Sequence, residues 1–277
     1  MRMRINNLRN LIVSAWSEAE AQLRQDPIQM QDRDEEFITG LFSGYLRSEF
    51  ETATRIGGVE QAFRKDLAEA FPDLDFYYEH QIWRGLIATV TFHPKHVEAR
   101  TGGDFGLVVV RPEVTHEWQK LRIEDGHRRG LICQAKIFQR ATKHRRKPGY
   151  GPLSSNEMKV LNSKLDYLAL LLYRYEDSAR ETLAPFEWKI ASGATIENIQ
   201  SWLVHNCIPD KLDSPRALRA LIDEKIGTAD EKLIDEDISP KVRPSLTITI
   251  SWKDGDYPGN VVHLAKHQAH VHVLQSR

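Results

Sequence analysis

The chain has 277 residues, of which 41% are hydrophobic, and its 38 basic and 39 acidic residues give a formal net charge of −1. This length suits one elaborated domain or two small ones, and the apolar content is enough for a real core. The balanced charge excludes a protein that attracts nucleic acid through its overall charge, so any such site must be a local basic patch.

Cysteine use and hydropathy indicate the compartment. The two cysteines, Cys133 and Cys207, lie in no metal-type spacing such as CxxC, so we expect reduced thiols in a cytoplasmic protein. The basic start of the chain continues as a charged helical pattern, which is not typical of a signal peptide. The longest apolar run, residues 167–173, is far too short to cross a bilayer, so we expect no membrane partner.

The first third of the chain is predicted to be mainly helical. Apolar residues recur at helical spacing in three segments, 5–25, 34–50 and 58–71. The pattern then changes to aromatic and β-branched residues, which predicts strands over 76–84 and 85–93.

The middle of the chain combines apolar runs with one strongly periodic segment. The near-continuous runs 105–110 and 130–138 predict strands buried on both faces. A long helix is predicted over 154–177, with Ser154 or Ser155 as its cap. Its expected core stripe consists of Leu161, Leu165, Leu168 and Leu172.

The last third is predicted to contain two strands, two helices and a linker. The strands are expected over 186–192 and 245–252, the helices over 195–206 and 214–227, and a loop or linker over the acidic stretch 229–239. We expect a domain over 1–184 and an extension over 185–277 that packs on the same sheet or forms a small accessory region. The element order predicts a mixed α/β fold, one sheet with helices packed against it.

Three polar residues interrupt the apolar strands. Asp104 follows two glycines directly before the run 105–110, while Gln134 and Lys136 lie within the run 130–138. Successive strand residues point to opposite faces, so Gln134 and Lys136 share one face. If the two strands pair, all three polar groups converge at one edge of the sheet.

This set of side chains suits metal-assisted chemistry on a phosphate. The Asp104 carboxylate, the Gln134 amide oxygen and a backbone carbonyl such as that of Ala135 are hard oxygen ligands, which suit Mg²⁺ or Mn²⁺. A bound divalent ion makes water a better nucleophile and stabilises phosphate charge. Lys136 could hold that water, help to deprotonate it and offset phosphate charge.

Asp104, followed thirty residues later by Gln134-Ala135-Lys136, resembles the active site of the restriction-endonuclease-like superfamily, the PD-(D/E)xK nucleases. That family has an αβββα core, with an aspartate at the start of the second core strand and a (D/E/Q)-x-K triplet on the third. The resemblance covers residues 34–178. It implies a Mg²⁺-dependent DNA endonuclease of prokaryotic restriction or anti-phage defence, in which Lys136 positions and activates the attacking water.

The triplet departs from the family pattern because it begins with glutamine, a weaker metal ligand than a carboxylate. Some active branches, including modification-dependent restriction enzymes, look the same at this position. The resemblance also implies an acid from the preceding helix, for which Glu36 is the first choice and Glu35 its rival. Glu98 and Glu79 are further candidates. A solvated acid in the first turn of a helix is the structural alternative for Glu36.

A basic segment follows the second polar strand directly. We predict that it contacts substrate phosphates, although a solvated basic loop would have the same composition. Its residues are Arg140, Lys143, Arg145, Arg146 and Lys147.

Two other classes of function stay open. The chain could be a catalytically inactive nucleic-acid-binding or assembly module, with Gln134 as the trace of lost metal binding. A zinc peptidase would use the tail histidines, which have no carboxylate or cysteine pattern beside them and also fit a half-exposed polar face. These are His263, His267, His270 and His272. A homodimer or a defence-system protein is a further expected partner.

Overall fold

The computed structural model describes nine segments of the chain: 5–25, 35–55, 58–72, 83–117, 120–124, 126–139, 148–176, 182–240 and 246–252. Within these segments, no helix is long and apolar enough to cross a membrane.

The helices, in chain order, are α1 (Asn6–Arg24), α2 (Glu35–Arg55), α3 (Gly58–Ala70), α4 (Lys95–Thr101), α5 (Ser155–Leu161), α6 (Ile196–His205), α7 (Ser214–Ile222) and α8 (Glu231–Leu233). The strands are β1 (Trp83–Phe92), β2 (Phe105–Val110), β3 (Glu113–Glu117), β4 (Lys120–Glu124), β5 (Arg128–Gln139), β6 (Gly149–Tyr150), β7 (Leu168–Tyr173), β8 (Glu187–Ile190), β9 (Leu212–Asp213) and β10 (Leu246–Trp252).

One mixed, open sheet organises the described chain. Its strand order is β10-β1-β2-β5-β7-β8-β9, with β6 attached to the end of β5. β5 and β7 run parallel, whereas the other neighbouring strands along this order pair antiparallel. β3 and β4 form a separate hairpin. Residues after 184 supply β8 and β9 at one edge and β10 at the other.

Helices cover both faces of this sheet. On β5, Leu131, Cys133 and Ala135 pack into the core that contains residues of α1, α2 and α3. The intervening Ile132 packs on the other face with residues of α5 and α6. Because both faces of β5 are covered, its sequence is nearly continuously apolar instead of alternating. The architecture is therefore α/β, a mixed sheet flanked by helices.

The long helix predicted over 154–177 is wrong. α5 ends at Leu161, a short 3₁₀ turn follows at Leu165–Tyr167, and the apolar run then forms β7. Every residue of β7 is buried, and the strand lies parallel to β5. A run buried on both faces has no alternation, so its leucines matched a helical spacing by coincidence.

The linker predicted over the acidic stretch is also wrong. Residues 231–238, which we call the strap, form α8 and a π-helical turn, and they pack with Ile234 and Ile238 fully buried. The strap lies so close to β2 that a Cβ atom at Gly106 would be 1.6 Å from the Ile238 carbonyl oxygen. Lys164 pairs with Asp237 at 2.6 Å and fastens the strap at its other side. Its exposed acids, Glu231, Asp235 and Glu236, are therefore the outer face of a packed element, whereas Asp237 pairs with the buried Lys164.

Candidate functional site

Two glycines, Gly102 and Gly103, form the turn that leads from α4 to Asp104. α4 ends at Gly102, whose φ of +76° is left-handed, and a Cβ there would lie 2.7 Å from Leu161. A Cβ on Gly103 would lie 2.2 Å from the Ile132 side chain. The sharp turn and the close packing against α5 and β5 both require glycine, and they place Asp104 directly at the start of β2.

Backbone and ring contacts hold Asp104 in this position. Its N–H donates to the Cys133 carbonyl at 2.9 Å, and its own carbonyl accepts from the His93 N–H at 2.8 Å. The buried imidazole of His93 lies 2.8 Å from the Gly103 carbonyl through Nδ1 and 3.1 Å from the Ile238 carbonyl through Nε2. His93 thus joins the turn before Asp104 to the strap.

The Asp104 carboxylate contacts β5 just beyond the last residue of β5 that pairs with β2. The pairing of β2 with β5 ends at Phe105 and Cys133, so the next inward N–H of β5, that of Ala135, donates to Asp104 Oδ2 instead. Gln134 Nε2 donates to the same oxygen at 2.9 Å. The expected convergence of Asp104 and Gln134 is therefore observed.

Lys136 lies between two carboxylates from different helices. Its Nζ is 3.4 Å from Glu35 Oε1 in α2 and 3.0 Å from Glu157 Oε1 in α5. The second oxygen of Glu35 accepts the Ile137 N–H at 3.3 Å. Only 6% of the Lys136 side chain is exposed. A buried ammonium group needs a charged partner, and Glu35 and Glu157 supply two.

Burial changes the ionisation of Asp104. It raises the pKa of the carboxyl to about 7, and this outweighs the stabilising Ala135 N–H; the nearby charge of Glu35 raises the pKa further, whereas Lys136 lowers it. Asp104 therefore titrates near neutral pH and would release a proton when a cation binds.

The pKa values of Lys136 and of its two carboxylate partners, Glu35 and Glu157, shift in different directions. Burial lowers the pKa of Lys136, but Glu35 and Glu157 outweigh it and the net pKa is raised, so the group is an ammonium ion. Burial raises the pKa of Glu35 despite the charge of Lys136. Burial also raises the pKa of Glu157, but Lys136 and hydrogen bonds from Ser154 reverse this, and the net pKa is lowered. At neutral pH, Glu157 is thus the more firmly ionised partner of Lys136.

An open cleft of about 650 Å³ lies beside these groups. Glu35, Lys136 and Glu157 line it together with Lys95 and Glu98 from α4, and Asp104 and Gln134 are not among the lining residues. Lys95 and Glu98 approach to 3.9 Å. A ligand in the cleft would therefore reach Lys136 before Asp104 or Gln134.

The site carries more negative than positive charge. Four carboxylates face two ammonium groups, which leaves two negative charges when all are ionised. These are Asp104, Glu35, Glu98 and Glu157 against Lys95 and Lys136. A divalent cation would neutralise this excess.

Mg²⁺ and Mn²⁺ prefer oxygen ligands such as carboxylates, amide oxygens and backbone carbonyls. Within the described residues, no group of three or more His, Cys, Asp or Glu side chains is arranged to hold a metal. Gln134 Oε1, however, is buried with no hydrogen-bond partner among the described atoms. An unsatisfied buried acceptor costs about 1–3 kcal/mol. The amide nitrogen of Gln134 faces Asp104 and the Ala135 carbonyl, so turning the amide over would bring Oε1 beside them, where a cation would satisfy it. The oxygen donors of Asp104, Gln134 and Ala135 thus fit a hard cation in type.

The structure brings one of the candidate helical acids to Lys136. Glu35, the rival, reaches Lys136, whereas the side chain of Glu36 is outside the described atoms. Glu98 lines the cleft beside its neighbour Lys95. Glu79 and the tail histidines lie outside the described residues, as do the basic residues of 140–147.

Sequence reasoning missed Glu157. Its signal was present, because Ser154-x-x-Glu157 is a capping box at the start of α5. We considered only the serine of this pattern as a cap. That Glu157 would also reach Lys136 on β5 depends on how α5 packs.

The chain matches no protein-family model, and no curated protein is significantly similar to it.

Proposed function

We propose that the protein is a metal-dependent nuclease that hydrolyses phosphodiester bonds, with DNA as the expected substrate and an endonucleolytic mode of cleavage. The observation that carries the proposal is that Asp104, directly before β2, contacts Gln134 on β5, while Lys136, two residues further along β5, pairs with a helical acid, Glu35. A role in prokaryotic restriction or anti-phage defence follows by analogy with the family that the motif resembles.

The order of elements supports a restriction-endonuclease-like core. Helices precede three neighbouring strands of the sheet, β1, β2 and β5, and α5 follows them. Asp104 stands directly before the second of these strands, and Gln134 and Lys136 lie on the third. This is the placement that the αβββα core requires, although α5 is a much shorter helix than expected.

The metal, Mg²⁺ or Mn²⁺, would be held by Asp104, the side-chain oxygen of Gln134 and the Ala135 carbonyl. When bound, it would make a water more acidic and stabilise charge on the phosphate. Lys136, as an ammonium, would donate a hydrogen bond to that water or to a phosphate oxygen. An ammonium cannot accept a proton, so we assign proton acceptance to Glu35, whose raised pKa suits a general base.

A cleavage assay tests the proposal. Wild type, Asp104→Asn and Lys136→Met would be compared on plasmid, linear and single-stranded DNA and on RNA, each with Mg²⁺, Mn²⁺ or EDTA. We expect metal-dependent cleavage that falls by roughly a thousandfold or more in both variants. Glu231→Gln, in an exposed ion pair with Arg128, is the matched control and should cut normally. Equal cleavage by all four proteins would identify a contaminant and contradict the proposal.

A second candidate is a catalytically inactive nucleic-acid-binding or assembly module. The direct hydrogen bond between Gln134 and Asp104 favours it, because the Asp104 carboxylate then has a protein donor in place of a metal. Such a module would bind DNA in EDTA and would show no Mn²⁺-dependent rise in melting temperature. A competent metal site would be stabilised by Mn²⁺, and Asp104→Asn would abolish that effect.

A further inference from the structure

The two oxygens of the Glu157 carboxylate have different partners: one belongs to the capping box of α5, and the other contacts Lys136 on β5. Its Oε2 accepts the Ser154 N–H at 2.6 Å, while the Ser154 hydroxyl accepts the Glu157 N–H at 3.2 Å. This capping box fixes the side chain at the start of α5. Its Oε1 lies 3.0 Å from Lys136 Nζ.

We infer that Glu157 is a positioning residue of the proposed nuclease site, which holds the Lys136 side chain in place and directs its remaining N–H donor toward the cleft. The inference rests on the proposed function for its catalytic consequence. Its structural part, the control of Lys136 by Glu157, can be measured without any substrate.

The donor capacity of Lys136 shows what this arrangement achieves. An ammonium group has three N–H donors. Two are directed at carboxylates on different elements, Glu35 in α2 and Glu157 in α5. The third is left for a water or a phosphate oxygen in the cleft that all three residues line. Two fixed anchors orient the remaining donor better than one, because a single partner leaves the flexible lysine free to rotate.

The helix cap alone does not explain the geometry. A capping box uses a single carboxylate oxygen, and here that oxygen is Oε2. The other oxygen is directed at a residue of β5, and the shorter of the two contacts of Lys136 is the one to Glu157. With 22% of its side chain exposed, Glu157 faces the cleft and could have been solvated instead.

Two substitutions separate the cap from the lysine contact. Glu157→Gln keeps an oxygen that can accept the Ser154 N–H but removes the charged partner of Lys136. Ser154→Ala removes the hydroxyl acceptor of the cap and leaves the carboxylate in place. The first readout is the NMR order parameter of the Lys136 ammonium group at pH 6, with the signal assigned by its loss in Lys136→Arg. The second is kcat and KM for DNA cleavage with Mg²⁺.

In Glu157→Gln, we expect the Lys136 order parameter to fall to that of a flexible group, about 0.6 or less. We expect kcat to fall roughly tenfold to a hundredfold, with KM changed much less. In Ser154→Ala, the melting temperature should fall, whereas the Lys136 order parameter, kcat and KM should stay in place.

An unchanged Lys136 order parameter in Glu157→Gln would overturn the inference, and so would an equal fall in Ser154→Ala. If the wild type cleaves no nucleic acid with either metal, the proposed function fails, and the order parameter of Lys136 still decides whether Glu157 holds the lysine in place.

Discussion

The amide of Gln134 donates a hydrogen bond across 2.9 Å to Asp104, while its own oxygen is buried with no partner among the described atoms. A carboxylate at position 134 would repel Asp104 unless a proton or a cation lay between them. Glutamine therefore lets the metal-free site close on itself and leaves an unsatisfied acceptor that a cation could use.

Gln134→Glu should strengthen metal binding. A second carboxylate beside Asp104 adds a charged ligand, so we expect Mn²⁺ affinity at pH 8 to rise roughly tenfold to a hundredfold, which calorimetric titration would measure. Gln139→Glu, at the end of the same strand and lining the cleft, controls for the added charge alone. An equal gain in both variants would argue against ligation at position 134.

The stability of the metal-free protein should fall as pH rises through neutrality. The folded state raises the pKa of Asp104 from 3.8 to about 7, so between these values the folded protein binds more protons than the unfolded chain. The free energy of unfolding therefore decreases with pH in this window, by on the order of a few kcal/mol. The raised pKa of Glu35 acts in the same direction.

Urea denaturation in EDTA from pH 5 to pH 8 would measure this slope. Asp104→Asn should remove most of it and should make the protein more stable than wild type at pH 8. Mn²⁺ should restore the wild type at pH 8 and have little effect on the variant. A wild-type slope retained in Asp104→Asn would show that another group is responsible.

Lys136→Met should destabilise the protein most at high pH. The substitution leaves Glu35 and Glu157 without their shared cation, and breaking a buried pair in this way costs about 3–5 kcal/mol. Denaturation at pH 8 should show the loss, and the loss should shrink at lower pH, because the raised pKa of Glu35 favours its protonation. Adding Glu157→Gln should recover part of it. Lys211→Met, which breaks a more exposed pair with Glu187, should cost about 1 kcal/mol or less.

Gly106→Ala should disrupt the packing of the strap. Because the new Cβ would overlap the Ile238 carbonyl, we expect a loss of about 3 kcal/mol or more, or failure to fold. Gly44→Ala is the matched control, since nothing lies within 4 Å of a Cβ there and the residue is inside α2. It should be neutral or stabilise the protein by about 0.5–1 kcal/mol. Equal thermal shifts in the two variants would contradict this account.

The sequence allowed the strand side of the site to be predicted, because the two-residue period of a strand is local information. Placing Gln134 and Lys136 on one face needed no knowledge of the rest of the chain. The helical partners were harder. Glu35 and Glu36 differ by one position, and which of them reaches Lys136 depends on the rotation and packing of α2.

The error over β7 has a different cause. Its six apolar residues carry no periodicity, since the neighbouring strands and both helical layers bury it from every side. Such a run is compatible with helix or strand, and tertiary pairing with β5 decides between them. The strap was mistaken for a linker because its exposed acids outnumber the two isoleucines that anchor it.

The strap also sets the order in which a newly made chain can become competent. Asp104, Gln134 and Lys136 leave the ribosome well before Ile238, whose carbonyl meets His93 beside the Asp104 turn. The two edges of the sheet are likewise formed by residues synthesised after Lys136, with β8 and β9 at one edge and β10 at the other. A nascent chain thus carries its reactive groups before the frame that aligns them, and a nuclease built this way would reach full activity only after β10 has been made.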